Sequence, residues 1–211
     1  MSATAGAARR LSRRVLPLAG ALAAIAIAAT GASAQAALIS TGACNDAALT
    51  QPFAPWGDHN QYELVPGGDF SGSLSGWTLN GGARVVSGGE PGAIAGAAGG
   101  NSLLLPAGAS VQTPFNCVDA AYPTFRFFGR DDSLAAAVVV SIVYDEPLVG
   151  QVAVPVGTVA LSGSWQPTLP MTTLSAVEGA LSGGTAQVAL RFTAVLGAAQ
   201  IDDIFVDPRM T

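Results

Sequence analysis

The stretch Gln187-Val188-Ala189-Leu190-Arg191-Phe192-Thr193-Ala194 alternates: Val188, Leu190, Phe192 and Ala194 are apolar, while Gln187, Ala189, Arg191 and Thr193 form the opposite set. Successive side chains of a strand point to opposite faces, so this segment reads as a strand with one face in a core and one facing water or a ligand. Upstream, Ala135-Ala136-Ala137-Val138-Val139-Val140-Ser141-Ile142-Val143-Tyr144 is apolar on both faces. Such a strand belongs near the centre of a sheet, covered on both sides. Further short apolar runs at 62–65, 77–79, 83–86, 102–105, 111–115, 124–128, 151–161, 165–169 and 199–206 are separated by Gly, Pro, Asn, Asp and Ser. That punctuation marks an all-β chain.

A parallel sheet needs crossover helices, and long amphipathic helices are absent from the sequence. The one helical candidate, 174–181, contains Gly179 and serves equally well as a loop crossing. The consistent solution is a two-sheet antiparallel β-sandwich of jelly-roll type over residues 62–211. Residues 37–61 have another texture, with Pro52, Phe53, Pro55 and Trp56 close together, and read as an N-terminal arm covering the sandwich. The glycine-rich run 88–100 is a long connection of the kind that is functional or mobile.

Composition narrows the function. The chain of 211 residues carries nine Arg, no Lys and fourteen acidic residues. Four of the Arg (Arg9, Arg10, Arg13, Arg14) precede an apolar run and the small-residue signals Ala32-Ser33-Ala34 and Ala34-Gln35-Ala36. This is the build of a secretory signal over residues 1–36, cut after 34 or 36, by the general secretory or the twin-arginine route. An uncleaved anchor is the alternative, although a span needs about 20 apolar residues and Thr30, Ser33 and Gln35 interrupt this one. Removing the leader leaves five Arg against fourteen acidic residues. No nucleic acid is expected as a partner, because phosphate contacts need clustered positive charge, and no second apolar run is long enough to span a membrane. In an oxidising compartment Cys44 and Cys117 read as a disulfide. Closing a loop of about 72 residues is assigned about 4 kcal/mol by the chain-entropy model.

Catalytic constellations are sparse. His59 is the only His and lies in the arm; there is no G-x-S-x-G turn, no phosphate loop and no zinc ligand set. The neighbouring carboxylates Asp131-Asp132, Asp145-Glu146 and Asp202-Asp203 diverge if they lie in strands, against the convergent pair that glycoside hydrolysis needs. The expectation is a secreted binding module and not an enzyme. Sugar sites combine an aromatic platform with planar polar groups, which singles out Trp56, Tyr122, Arg126, Phe128 and Arg191. If Ile204 and Val206 face the core, alternation puts Asp202 on their side, where it needs Arg126 or Arg191, backbone N–H or a metal.

The stretch Leu64-Val65-Pro66-Gly67-Gly68-Asp69-Phe70-Ser71-Gly72-Ser73-Leu74-Ser75-Gly76-Trp77-Thr78-Leu79 resembles the opening of galactose-binding-like jelly rolls, among them several carbohydrate-binding modules, which begin N-G-x-F-E followed by a Gly-Trp pair. Ser164-Trp165-Gln166-Pro167 resembles one of their late strands, and Gln200-Ile201-Asp202-Asp203-Ile204-Phe205-Val206 their last. The mature chain also resembles secreted bacterial proteins that share the arm, the Arg-Phe-Phe segment and the Ile-Asp-Asp ending. The resemblance implies packing roles for Trp77 and Trp165. It also implies a structural Ca²⁺ where the chain ends meet, held by the Glu of F-E and an Asp of the last strand. Ser71 stands at that Glu position here, leaving Asp69 and Asp203 for such a site; no other cofactor is expected. The partner is a glycan or, in the alternative reading, a cell-surface protein contacted by a structural domain with no small ligand.

Overall fold

The computed structural model describes residues 48–119, 124–146, 148–172 and 185–207. The leader, Cys44, Tyr122 and the helical candidate at 174–181 lie outside the described residues. The elements are strands β1 (Glu63–Leu64), β2 (Thr78–Asn80), β3 (Arg84–Ser87), β4 (Asn101–Leu105), β5 (Ser110–Gln112), β6 (Asn116–Asp119), β7 (Thr124–Asp131), β8 (Ala136–Glu146), β9 (Gly150–Leu161), β10 (Gln166–Pro167), β11 (Met171–Thr172), β12 (Thr185–Leu196) and β13 (Ala199–Asp207). Each apolar run read from the sequence contains a strand; β6 and β11 are additions. All described strand pairs are antiparallel.

The strands form two sheets. In one the order is β10-β7-β13-β4-β3, with β11 also on β7 and β1 also on β13; in the other it is β2-β5-β12-β8-β9, with β6 also on β12. The fold is therefore the expected all-β two-layer sandwich. The alternation that predicted β12 is realised: Val188, Leu190, Phe192 and Ala194 are buried in the central core. They face Phe125, Phe127, Ile201 and Ile204 of the opposing sheet. Phe127 and Phe192 meet edge-on with ring centroids 5.0 Å apart, the offset geometry aromatic quadrupoles favour.

The β12–β13 turn depends on Gly197, whose φ is +63° and where a Cβ would overlap the carbonyl oxygen of Ala135. Gly197→Ala combines left-handed strain, about 1 kcal/mol, with a backbone clash. It should lower the unfolding free energy by about 2 kcal/mol or more. Gly150→Ala, at φ +79° in open space, should cost only the conformational part. Equal melting temperatures for the two variants would contradict the clash.

Candidate functional site

Strand β7 presents Arg126, Phe128 and Arg130 away from the core, and the arm lies over the first two. Phe53 of the arm is fully buried, stacked on Phe128 at 5.7 Å and edge-on to Tyr62 and Phe205 at 5.1 and 5.5 Å. The Arg126 guanidinium sits 4.2 Å from the centre of the Phe53 ring. Its Nη1 donates to Asp58 Oδ2 at 2.7 Å and its Nε to the Thr168 carbonyl at 2.7 Å. Tyr62 Oη donates to the same Asp58 oxygen at 2.7 Å. Burial raises the Asp58 pKa, but hydrogen bonds from Tyr62, the Asn60 N–H and Arg126 outweigh it and hold the carboxyl below its ordinary 3.8. Burial and the bond to Asp58 push the Tyr62 hydroxyl up to about 12. Arg126 and Phe128 thus face the arm and not solvent, at 4% and 1% exposure. Trp56 packs edge-on against Phe128 at 5.3 Å and keeps 45% of its surface exposed.

The end of β13 departs from simple alternation. Asp203 takes a left-handed φ of +47°, and the pairing with β7 shifts between Asp202 and Phe205. This bulge turns Asp202 to the outer face, opposite Phe128, whereas Ile204 and Val206 enter the core. The premise that Asp202 shares their side is corrected accordingly, and so is its expected Arg partner. Asp202 Oδ2 accepts the Glu90 N–H at 2.7 Å, and Asp203 Oδ2 accepts the Ala95 N–H at 3.3 Å. Both donors belong to the glycine-rich 88–100 connection. Gly89 permits this approach, since a Cβ there would meet Asp202 Oδ2 and the Asn101 carbonyl. Glu90, which the sequence did not single out, is itself buried and accepts the Gly92 N–H at 2.7 Å. Asp203 Oδ1 is buried with no hydrogen-bond partner. Burial, opposed by the Glu90 and Asp203 N–H bonds, raises Asp202 to about 7; burial and the charge of Asp202 raise Asp203 to about 8.

Ca²⁺ takes six to eight oxygens. Asp69 instead accepts hydrogen bonds from the N–H and hydroxyl of Ser71, and both oxygens of Asp202 and one of Glu90 accept backbone N–H groups. Among the described residues no three His, Cys, Asp or Glu side chains are placed to hold a metal ion. As arranged, the residues do not fit the ion that the resemblance implies.

Arg191 lies on the opposite sheet, away from the arm. Its Nε and Nη2 both donate to Gln112 Oε1, at 3.2 and 2.7 Å, and Gln112 Nε2 donates to Gln151 Oε1 at 3.2 Å. Strands β12 and β8 separate β5 from β9 in this sheet. A direct Gln112–Gln151 contact therefore requires the outer face to curl into a concavity. The β8–β9 register shift at Val140/Ser141 supplies the bend, as bulges do. Ser141, in register with Arg191, and the neighbouring pair Ala189–Val143 form its buried floor. Phe115, half-buried in the β5–β6 connection, belongs to neither apolar cluster. Neither glutamine was legible as a site residue, because their meeting depends on sheet curvature. Cys117 on β6 is disulfide-bonded. A separate groove of about 410 Å³ between β9 and β10–β11 is lined, among the described residues, by Val159, Pro167, Leu169 and Met171, with Thr158 and Thr168, and by no charged side chain. Among the described residues no helix is long and apolar enough to cross a membrane.

No protein-family model matches the chain, and no curated protein matches its sequence. Solved structures resemble it in architecture. One is the CBM22-1 xylan-binding domain from Paenibacillus barcinonensis, with 12% identity over 68% of this chain and 93% of that one, TM-score 0.46. Another is a CBM22-1 and GH10 module pair of a Clostridium thermocellum endo-1,4-beta-D-xylanase, solved with xylohexaose, with 12% identity over 70% of this chain and 29% of that one, TM-score 0.48. A third is TmCBM61 in complex with beta-1,4-galactotriose, with 14% identity over 70% and 99%, TM-score 0.43.

Proposed function

We propose that the chain is exported and that its mature part is a non-catalytic binding module holding carbohydrate on the concave outer face of the six-stranded sheet. The observation that carries this reading is the ordered planar array of Arg191, Gln112 and Gln151 over a small-residue floor. Guanidinium and amide planes are the groups that engage pairs of sugar hydroxyls, and ordering them beforehand lowers the entropy lost on binding. On the other sheet the arm already occupies Arg126 and Phe128, which withdraws both from a ligand.

A glycan array probed with the purified protein tests the reading. Arg191→Ala should reduce retention at least about tenfold, the loss of one charge-assisted bond of about 1.5–3 kcal/mol, and Trp56→Ala, in the arm over the other sheet, should retain it. A second reading, a secreted structural or protein-interaction domain, is favoured by the arm over Arg126 and Phe128 and by the exposed Leu134, Leu148 and Leu169. It prevails if no glycan is retained by the unaltered protein.

A further inference from the structure

The unused donors of Arg191 narrow the ligand. A guanidinium carries five N–H groups. Nε–H and one Nη2–H, along one edge of the fork, converge on the single acceptor Gln112 Oε1. The two Nη1–H and the second Nη2–H make no hydrogen bond among the described residues. They form the end of the fork, whose spacing fits the two oxygens of a carboxylate. Arg191 is half-buried and, among the described residues, has no carboxylate partner. The other two Arg withdrawn from solvent do: Arg126 pairs with Asp58 at 2.7 Å and Arg130 with Asp132 at 3.7 Å. A half-buried cation held in place by a neutral amide, with its bidentate end open toward a concave face, is complementary to an anion.

Resting on the reading of this face as a glycan site, we infer that the sugar it holds carries a carboxylate, as a hexuronate residue does, and that Arg191 takes that carboxylate end-on. The acidic character of the chain does not oppose this. Asp145, the nearest acidic residue along the outward positions of β8, stands opposite Gln151 at the edge of the face and is exposed; from Ser141, which is in register with Arg191, it is four residues away, or about 13 Å at strand rise. Exposed charges at that separation are largely screened at physiological ionic strength, where the Debye length is about 8 Å. The exposed amide of Gln151 remains for ring hydroxyls.

The test is calorimetric titration with oligogalacturonate and with the same oligosaccharide after its carboxyls are reduced to alcohols. Oligogalacturonate should bind at least about tenfold more tightly than the reduced form. Arg191→Gln, and also Arg191→Lys, which keeps the charge but loses the fork, should abolish the difference while leaving the circular dichroism spectrum unchanged. Equal binding of charged and reduced sugars, both weakened by Arg191→Gln, would overturn the carboxylate and leave the glycan reading standing. Competition by poly-glutamate as strong as by the uronate would overturn it in favour of a general anion site. Binding of neither sugar would remove both.

Discussion

Unfolding free energy should fall steadily as the pH is raised from about 4 to about 9, opposite to the trend of a fold held by ionised carboxylates. The cause is the pair at the end of β13. Asp202 and Asp203 are buried against Glu90, with Asp69 also bearing on them, and no cation compensates them among the described residues. Their midpoints rise from 3.8 to about 7 and about 8. In the window between 3.8 and those values the folded chain binds more protons than the unfolded chain, so stability decreases with pH. It is fully present below the unfolded value and is lost as the pH passes through the folded ones. A tenfold change in proton affinity is about 1.4 kcal/mol, so the first ionisation of the coupled pair alone puts the cost at pH 9 relative to pH 4 on the order of 5 kcal/mol, and the second adds to it. At about 2–4 °C per kcal/mol for a chain of this size, the melting temperature should drop by more than about 10 °C.

Asp202→Asn and Asp203→Asn remove the titrating groups while keeping an oxygen for the Glu90 and Ala95 N–H groups, and Asn tolerates the left-handed backbone at position 203. Each variant should flatten the profile and the double variant should nearly level it, with higher stability than the unaltered protein at pH 9. Asp58 acts in the other direction: its lowered folded value contributes stability present above 3.8 and lost as the pH falls through that lowered value. The optimum should therefore lie in mildly acid solution. If stability is level from pH 4 to 9 and collapses on addition of a chelator, a cation and not protons neutralises the pair.

The same residues show where a reading of the sequence succeeds. Alternation through Val188, Leu190 and Phe192 is a property of the strand itself, so β12 and its two faces could be assigned from eight letters. Phe53 and Trp56 stood out in the sequence because they sit where no strand pattern runs, and Phe53 is buried against Phe128. Asp202 was assigned to the wrong face because one left-handed residue, Asp203, resets the period, and nothing in Asp-Asp-Ile announces a bulge. Arg126 was expected to pair with an Asp of the last strand; its partner is Asp58, a contact set by how the arm crosses β7. Glu90 and the Gln112–Gln151 bridge stayed hidden for a related reason. Residues 90 and 202, or 112 and 151, are joined by loop closure and sheet curvature, which leave no periodic trace.

Removing the carboxylate of Asp58 should be among the most damaging single changes outside the central core. Asp58 accepts from Arg126 and Tyr62 on one oxygen and from the Asn60 N–H on the other, and Arg126 keeps only 4% of its side-chain surface exposed. Asp58→Ala leaves a buried guanidinium with only its Thr168 bond and its Phe53 contact, a defect of about 3–5 kcal/mol. Phe53→Ala empties the centre of a cluster that includes Tyr62, Phe128 and Phe205 and should cost about as much, 3–5 kcal/mol. Arg126→Met should be milder than Asp58→Ala, because Asp58, at 11% side-chain exposure, regains water when its partner is lost, whereas Arg126 does not. This asymmetry distinguishes a latch built on burying one charge from a surface ion pair, which is worth about 0–1 kcal/mol whichever partner is removed. Urea unfolding of the three variants and of the Asp58→Ala, Arg126→Met double variant measures it. In the double variant most of the Asp58→Ala loss should be recovered, since no unpaired charge then remains beneath the arm. Losses under 1 kcal/mol for both single variants would mean that the arm rests on the sheet without being fastened to it. The outer face of β7 would then be open to a ligand after all, and Arg126 and Phe128 would return as its contacts.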